Sequence, residues 1–293
     1  MKYLYYPGCS LKSTGKPYEE SLKAVFSALK VPLEELRDWN CCGATAYMAV
    51  DEVKSFALSA RNLALAESQG EPAPNGMVQL IAPCSACYAG TLKTQRYLAE
   101  NADIRRRVER GLSDASLTYS GRVQVRHPLD VLINDIGVER IKEAVKSPLG
   151  ARVACYYGCQ IVRPYAAFDN QQVPASLDTL VAAIGGTPLD WPMKTRCCGG
   201  SLVGTIREVG LRLNYLILRE ASRRGADLVA TTCPLCQFGL ECFQPGMNAS
   251  FQASVRMPVA FFTQLVGLSF AIPERELGLQ RLFVPYEKAS IGG

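Results

Sequence analysis

The chain has 293 residues, of which 48% are hydrophobic and 20% charged, so it can bury a large core and is not expected to be disordered. Its net charge of +5 comes without a sustained basic face, so nucleic acid is not an expected partner. The longest apolar run, residues 258–272, is shorter than the ~20 residues that a membrane-spanning helix needs. A membrane-spanning protein is therefore not expected.

The first half of the chain predicts alternating strands and helices. Residues 2–6 form a short β-rich run that ends at a Gly-Cys turn, and residues 78–82 are predicted to form a buried strand. Residues 18–29 carry apolar side chains at helical spacing, and a second helix is predicted near residues 50–68. The proline-rich segment 71–76 is predicted to be a surface loop.

The second half repeats this order. Strands are predicted over residues 152–157 and 227–231, and helices over residues 176–184 and 206–224. Strands joined by helical crossovers of this length indicate two α/β units with parallel sheets. Such sheets bind ligands at the carboxyl ends of their strands.

Twelve cysteines and a single histidine are the unusual counts of the sequence. Ten of the cysteines form two sets with the same order: a single Cys, then Cys-Cys-Gly, then Cys-x-x-Cys. The first set is Cys9, Cys41, Cys42, Cys84 and Cys87, and the second is Cys159, Cys197, Cys198, Cys233 and Cys236. The gaps are 31 and 41 residues in the first set and 37 and 34 in the second. We therefore predict a duplicated unit, with pseudo-symmetric domains over residues 1–148 and 149–293.

Five sulfurs in each set limit the chemistry. The N-terminal sequence lacks the features of a secretory signal, so the chain is expected in the cytoplasm, where dense cysteine indicates metal or redox chemistry. Structural zinc takes four ligands, and an ordinary cubane cluster takes four cysteines. Five sulfurs, two of them adjacent, exceed both needs and favour a cluster of several irons. Two zinc ions in an assembly scaffold are an alternative.

Two cysteines, Cys155 and Cys242, fall outside the sets. Cys155 is predicted to lie in a strand, where the first half has Tyr5, as a small buried hydrophobic residue. Cys242 is predicted to follow the last motif on a helix. Neither is expected to be a ligand.

Three charged or titratable residues are weaker candidates. His127 is a candidate proton donor, because the formation of thiols consumes protons. Its Val-Arg-His-Pro motif matches Val-Arg-Met-Pro further on, which pairs His127 with Met257. Lys16 and Arg163 follow the first cysteines of the two sets, where they could hold an anionic substrate or tune a cluster, or simply be exposed.

The cysteine motifs resemble the B subunit of heterodisulfide reductase over nearly the whole chain. The strings that carry the resemblance are Tyr-Pro-Gly-Cys at 6–9, Asn-Cys-Cys-Gly at 40–43, Pro-Cys-Ser-Ala-Cys at 83–87, Tyr-Tyr-Gly-Cys at 156–159, Arg-Cys-Cys-Gly-Gly at 196–200 and Cys-Pro-Leu-Cys-Gln at 233–237. The resemblance implies that each set holds a non-cubane [4Fe–4S] cluster through its five cysteines. The gap of 41 residues before Cys84 is longer than is usual in that family, and the loop at 71–76 could absorb the difference.

The same resemblance implies a catalytic subunit of a cytoplasmic complex. Its two clusters would reduce, or form, a disulfide between them, with electrons passing from a flavin-containing A subunit through an iron–sulfur C subunit. The disulfide or thiol could be a small molecule, a lipoyl group or a protein. A second possibility is an iron–sulfur electron-transfer subunit of a dehydrogenase or quinone-linked complex, because Cys-Cys-Gly domains also occur there.

Overall fold

A computed structural model of the chain describes residues 2–286, so residues 287–293 of the predicted second domain lie outside it. The strands of the described part are β1 (Tyr3–Tyr5), β2 (Leu33–Glu35), β3 (Val78–Ile81), β4 (Val123–Arg126), β5 (Arg152–Tyr156), β6 (Thr187–Pro188), β7 (Leu228–Thr231) and β8 (Val259–Phe261). They form two four-stranded parallel sheets, in the orders β2-β1-β3-β4 and β6-β5-β7-β8. The predicted α/β class is confirmed.

Helices cover the sheets and connect their strands. They are α1 (Gly8–Leu11), α2 (Lys16–Ala28), α3 (Ala46–Val50), α4 (Glu52–Gln69), α5 (Ser85–Glu100), α6 (Ala102–Asp114), α7 (Pro128–Asp130), α8 (Val138–Ala144), α9 (Ser176–Ala183), α10 (Arg207–Arg223), α11 (Pro234–Cys242), α12 (Gln244–Phe251) and α13 (Phe262–Ser269). A π-helical turn over Val131–Gly137 joins α7 to α8, and a short 3-10 helix spans Leu279–Arg281. Each strand and helix predicted from the sequence is present, with ends shifted by at most two residues.

The central strands are buried on both faces. Every residue of β1, β3 and β7 is buried, as is expected for parallel strands that are covered by helices on two sides. The edge strand β2 is only partly buried, and its Leu-Glu-Glu sequence reflects that position. The carboxyl ends of β1 and β3, and those of β5 and β7, therefore lie side by side in each sheet.

The two halves share one continuous hydrophobic core. Helix α2 of the first half packs against the end of β8 and against α13 of the second: the Tyr18 ring stacks on Phe261 at 4.4 Å, and the hydroxyls of Ser21 and Thr263 lie 2.7 Å apart. The boundary predicted at residue 148 falls between α8 and β5. It stays a prediction, because shared packing joins the halves on both sides of it.

Candidate functional site

The first cysteine of each set follows a strand and a glycine. Gly8 and Gly158 have φ values of +64° and +72°, in the left-handed region that favours glycine. A Cβ on Gly8 would lie 3.1 Å from the sulfur of Cys87, and a Cβ on Gly158 would lie 3.1 Å from that of Cys236. Both glycines thus allow the turn before the first cysteine to approach the second sulfur of the Cys-x-x-Cys pair.

A tyrosine at the end of the first strand holds the adjacent-cysteine loop in each half. The Tyr6 hydroxyl donates to the carbonyl of Asn40 at 2.8 Å, and the Tyr156 hydroxyl donates to the carbonyl of Arg196 at 2.5 Å. Each carbonyl belongs to the residue before a Cys-Cys pair. The repeated tyrosine is visible in the motifs, but its contact with a loop 34 or 40 residues further along the chain could not be predicted from them.

The sulfurs of each set lie in contact. Cys42 Sγ is 3.2 Å from Cys87 Sγ, and Cys198 Sγ is 3.4 Å from Cys236 Sγ. In addition, the thiol of the first cysteine is near enough to that of the first member of the adjacent pair to have its pKa raised in both halves; these pairs are Cys9 with Cys41 and Cys159 with Cys197. The structure therefore brings together the cysteines that the repeat grouped.

The two sets meet at the junction between the halves. Cys84 and Cys233 each precede the helix of their Cys-x-x-Cys pair, and their thiols are near enough for each to shift the pKa of the other. Ser85 Oγ reinforces the junction with a hydrogen bond to the carbonyl of Thr232 at 3.2 Å.

Each set extends from this buried junction to the surface. Cys9, Cys41 and Cys197 are exposed and Cys159 is half-buried, whereas the remaining six of the ten are buried.

Neighbouring thiols shift the pKa values of the cysteines in opposite directions. A hydrogen bond from Cys159, the N–H of Gly199 and the charge of Arg163 lower the pKa of Cys197 to about 6. Interaction with the thiols of Cys41 and Cys87 likewise lowers the pKa of Cys42, and interaction with those of Cys236 and Cys84 lowers the pKa of Cys233. Each half therefore contains a site that favours the thiolate, the form in which cysteine binds metals.

The donor chemistry fits an iron–sulfur or another soft-metal centre. Each set offers five sulfurs, and thiolates prefer zinc, copper(I) and iron–sulfur clusters. Within residues 2–286, no group of three or more Cys, His, Asp or Glu side chains is arranged to hold a metal ion. The observations that favour a cofactor are therefore the sulfur composition, the paired thiols and the glycines that leave room beside them.

His127 lies at the same junction and is fully buried. Its Nδ1 accepts the N–H of Leu129 at 3.2 Å, so Nε2 carries the proton in the neutral ring. Nε2 lies 3.0 Å from the carbonyl of Pro83 and 3.3 Å from that of Thr232. Burial lowers the pKa of His127 to about 4. Its role as a proton donor stays a prediction, although its one proton already has two carbonyl acceptors.

The pairing of His127 with Met257 is wrong. In the sheets, Arg126 pairs with Ile81 and Ala260 pairs with Ala230. Counted from Cys84 and Cys233, this register makes Phe261 the counterpart of His127, and both residues immediately precede a helix, α7 or α13. The second Val-Arg-x-Pro segment, residues 255–258, lies before β8, whereas Val125 and Arg126 of the first segment lie within β4. The match of the two motifs therefore does not reflect the register of the strands.

The two remaining cysteines lie apart from the sets. Cys155 is fully buried in β5 beside Ala230, and its carbonyl accepts the indole N–H of Trp191 at 3.0 Å. Cys242 is half-buried at the end of α11 and lines an open cleft of about 460 Å³.

The two basic candidates also differ. Lys16 is exposed, whereas Arg163 donates to the carbonyl of Thr195, two residues before Cys197. Arg163 therefore contributes to the position of the second adjacent-cysteine loop, which the sequence alone could not distinguish from an exposed charge.

Among residues 2–286, the helices are all too short or too polar to span a lipid bilayer.

Comparisons with known proteins match this organisation. The profile of the cysteine-rich CCG domain matches twice, over residues 3–91 and 153–241. The 8-methylmenaquinol:fumarate reductase membrane anchor subunit of Wolinella succinogenes is 31% identical over 95% of each chain. The B subunit of the ferredoxin/F420H2-dependent CoB-CoM heterodisulfide reductase of Methanosarcina acetivorans is 26% identical over 96% of this chain and 93% of its own. A protein of Archaeoglobus profundus, named for its likeness to the B subunit of heterodisulfide reductase, is 28% identical, covering 95% and 94%.

A solved structure shares the fold. The crystal structure of a hypothetical protein from Helicobacter pylori superposes with a TM-score of 0.77 at 16% identity. The match covers 98% of this chain, which spans about half (52%) of the longer protein. The chain thus belongs to the family of proteins with the cysteine-rich CCG domain, which it contains in two copies, and B subunits of heterodisulfide reductases are among its homologues.

Proposed function

We propose that each cysteine set holds one non-cubane [4Fe–4S] cluster and that a disulfide is reduced, or formed, between the two sets. The observation that carries this proposal is that Cys84 and Cys233 are neighbours at the junction, where Ser85 Oγ lies 3.2 Å from the carbonyl of Thr232, because this brings two five-sulfur sets together. The heterodisulfide reductase relatives support the same function. The ligands proposed are Cys9, Cys41, Cys42, Cys84 and Cys87 for one cluster and Cys159, Cys197, Cys198, Cys233 and Cys236 for the other.

Reduction of a disulfide breaks its S–S bond and consumes two electrons and two protons to release two thiols. Iron–sulfur clusters supply electrons one at a time, so two adjacent centres suit a two-electron reaction. The protein's part is to hold the sulfur ligands on rigid strand ends and to keep the inner ligands buried. The exposed Cys9, Cys41 and Cys197 leave the outer side of each set open to substrate or to a redox partner.

Each reduction of a disulfide consumes two electrons, so the proposed clusters need an electron donor for every turnover. We expect other proteins to supply these electrons. We therefore propose a cytoplasmic complex with an iron–sulfur C subunit and a flavin-containing A subunit. The test is purification of the chain from its own source without oxygen, followed by native mass determination. Co-purification with an iron–sulfur and a flavin subunit is expected, and a free monomer would contradict the complex.

The activity can be tested without these partners by using reduced methyl viologen as the electron donor. The protein, prepared without oxygen, is offered a small mixed disulfide, oxidised lipoamide and a protein disulfide. Oxidation of two dye molecules for each pair of thiols formed is the expected result with one of these substrates. The Cys41→Ser variant should lose this activity and the Cys242→Ser variant should keep it. Dye oxidation without release of thiols would contradict the proposal.

A second candidate function is electron transfer in a quinone-linked complex. The similarity to the Wolinella protein favours it, since that protein is named for a menaquinol:fumarate reductase. Reduction of a menaquinone analogue by the dye-reduced protein, with no activity towards any disulfide, would select this function. Disulfide reduction without quinone reduction would exclude it.

A further inference from the structure

The single histidine joins the two cysteine sets through one N–H. The Nε2 atom of His127 lies within hydrogen-bonding distance of two carbonyls, at 3.0 Å from Pro83 and at 3.3 Å from Thr232. Pro83 immediately precedes Cys84, and Thr232 immediately precedes Cys233. One proton therefore connects the backbone beside the inner cysteine of the first set to the backbone beside that of the second.

One hydrogen bond and three neighbouring aromatic rings hold the orientation of this ring. Its Nδ1 accepts the N–H of Leu129 at the start of α7, which leaves Nε2 as the donor. The ring lies parallel to Phe168 at 6.4 Å and is also packed by Phe262 and Tyr88. Phe168 and Phe262 come from the second half and Tyr88 from the first. The ring cannot turn away from the two carbonyls without disrupting packing in both halves.

Within residues 2–286 this connection has no counterpart in the second half, although the fold is duplicated. The counterpart of His127 is Phe261, whose side chain has no hydrogen-bonding atom and stacks on Tyr18 at 4.4 Å. The fold therefore accepts an aromatic ring without a donor at this position. The hydrogen bonds of His127 are thus a property of the junction rather than a requirement of the half-unit.

We propose that His127 is a positioning residue that sets the relative placement of Cys84 and Cys233, and through them of the two proposed clusters. The inference rests on the proposed function for its consequence, but the placement of the two thiols can be measured without any cluster. Its variants are His127→Phe, which keeps a ring and loses the donor, and His127→Gln, which keeps an N–H. Phe56→Leu is the matched control, since Phe56 is a fully buried ring in a separate apolar cluster away from the junction.

The first experiment uses iron-free protein and the oxidant diamide, which accepts two electrons and two protons as two thiols form one disulfide. The yield of the Cys84–Cys233 crosslink over time is measured by peptide mass spectrometry. We expect the rate to fall roughly tenfold in His127→Phe, as loss of a shared hydrogen bond would predict, and to recover in His127→Gln. Phe56→Leu should match the wild type. A crosslinking rate in His127→Phe equal to that of the wild type would overturn the inference.

The second experiment uses protein loaded with iron and sulfide without oxygen. Each His127 variant should keep the iron content of the wild type, while the paramagnetic resonance signal that reports interaction between the two centres changes in His127→Phe and is restored in His127→Gln. If both variants lose disulfide reduction while signal and crosslinking stay unchanged, His127 is a proton donor instead and the inference is wrong. Wild-type protein that takes up no iron would contradict the proposed function, and the crosslinking result would still decide the positioning role.

Discussion

After Cys9 the first half forms helix α2, whereas after Cys159 the second half runs through an irregular segment, residues 160–175, before α9 begins. These two segments contact the opposite half. Tyr18 of α2 stacks on Phe261, and Phe168 of the irregular segment packs on Tyr88 and His127. The sheets and cysteine sets are duplicated, so the asymmetry is concentrated where the halves meet.

The loops that carry the adjacent cysteines share one support and differ in another. In both halves a strand-end tyrosine holds the loop by its carbonyl. The other supports differ. In the first half, Asn62 Oδ1 accepts a hydrogen bond from the N–H of Asn40 at 3.0 Å, and in the second, the Arg163 side chain donates to the carbonyl of Thr195. Both loops are therefore held in place, but partly by different side chains. We expect the reactivity of the loop cysteines in solution to differ between the two halves for this reason.

The largest expected effect is the loss of one cluster at a time. Cys41→Ser should remove the iron of the first half and Cys197→Ser that of the second, each lowering the content from about eight to about four per chain. Iron and acid-labile sulfide measured on protein prepared without oxygen test this expectation. The Cys242→Ser control should keep the full content. If one of the two variants lost all the iron, the halves would not be independent sites.

The second largest effect is expected from Glu241, a buried carboxyl group in the second half. Counted from the Cys-x-x-Cys motifs, Glu241 occupies the position of Leu92, and burial raises the pKa of Glu241 to about 7 from 4.5. The folded protein then keeps a proton that the unfolded chain releases, so stability falls as pH rises from 4.5 to about 7 and is level above it. At pH 8, Glu241→Gln should be more stable than the wild type by about 3 kcal/mol, and equal to it near pH 4.

Denaturant titrations at the two pH values measure this difference in the free energy of unfolding. The control is Glu139→Gln, since the side chain of Glu139 is 82% exposed. That change should stay within about 0.5 kcal/mol of the wild type at both pH values. A pH-independent difference for Glu241→Gln would contradict the raised pKa.

The glycines before the first cysteines test the equivalence of the two turns. Gly8→Ala and Gly158→Ala each place a Cβ in the left-handed region and 3.1 Å from a sulfur, so each should cost about 2 kcal/mol of unfolding free energy. Gly111→Ala is the matched control, because nothing lies within 4 Å of its Cβ and its φ is not positive. It should be neutral or stabilising by about 0.5 kcal/mol. Unequal losses of unfolding free energy at residues 8 and 158 would show that one turn accommodates a side chain better than the other.

The smallest expected effect is the loss of a tyrosine hydroxyl. Tyr6→Phe and Tyr156→Phe each remove one hydrogen bond to the adjacent-cysteine loop, which should cost about 1 kcal/mol. Chemical denaturation of the iron-free variants measures it. Asn62 makes two hydrogen bonds to Asn40 in the first loop, whereas Arg163 makes one to Thr195 in the second. We therefore expect Tyr6→Phe to have the smaller effect on the rate at which its loop cysteines react with a thiol reagent. The opposite order would contradict the assigned supports.

The sequence predicts the repeated parts of this structure better than their junction. The central strands and the helices α2, α4, α9 and α10 followed from apolar runs and helical spacing, and the cysteine sets followed from their repeated order, whereas α5, with 16 residues, was not predicted. The edge strands β2 and β6 have three and two residues and no apolar alternation, so periodicity could not find them. The carbonyl contacts of His127 depend on residues far apart in the chain, Pro83 and Thr232, and on sheet register. A short motif match paired His127 with Met257 because it carried no information on that register.

The most direct test of the account is the content of iron and acid-labile sulfide in the wild-type chain purified without oxygen. Two four-iron clusters predict about eight of each per chain. About four of each would leave one half without a cluster and contradict the two-sided site. Zinc without sulfide would contradict the redox function altogether.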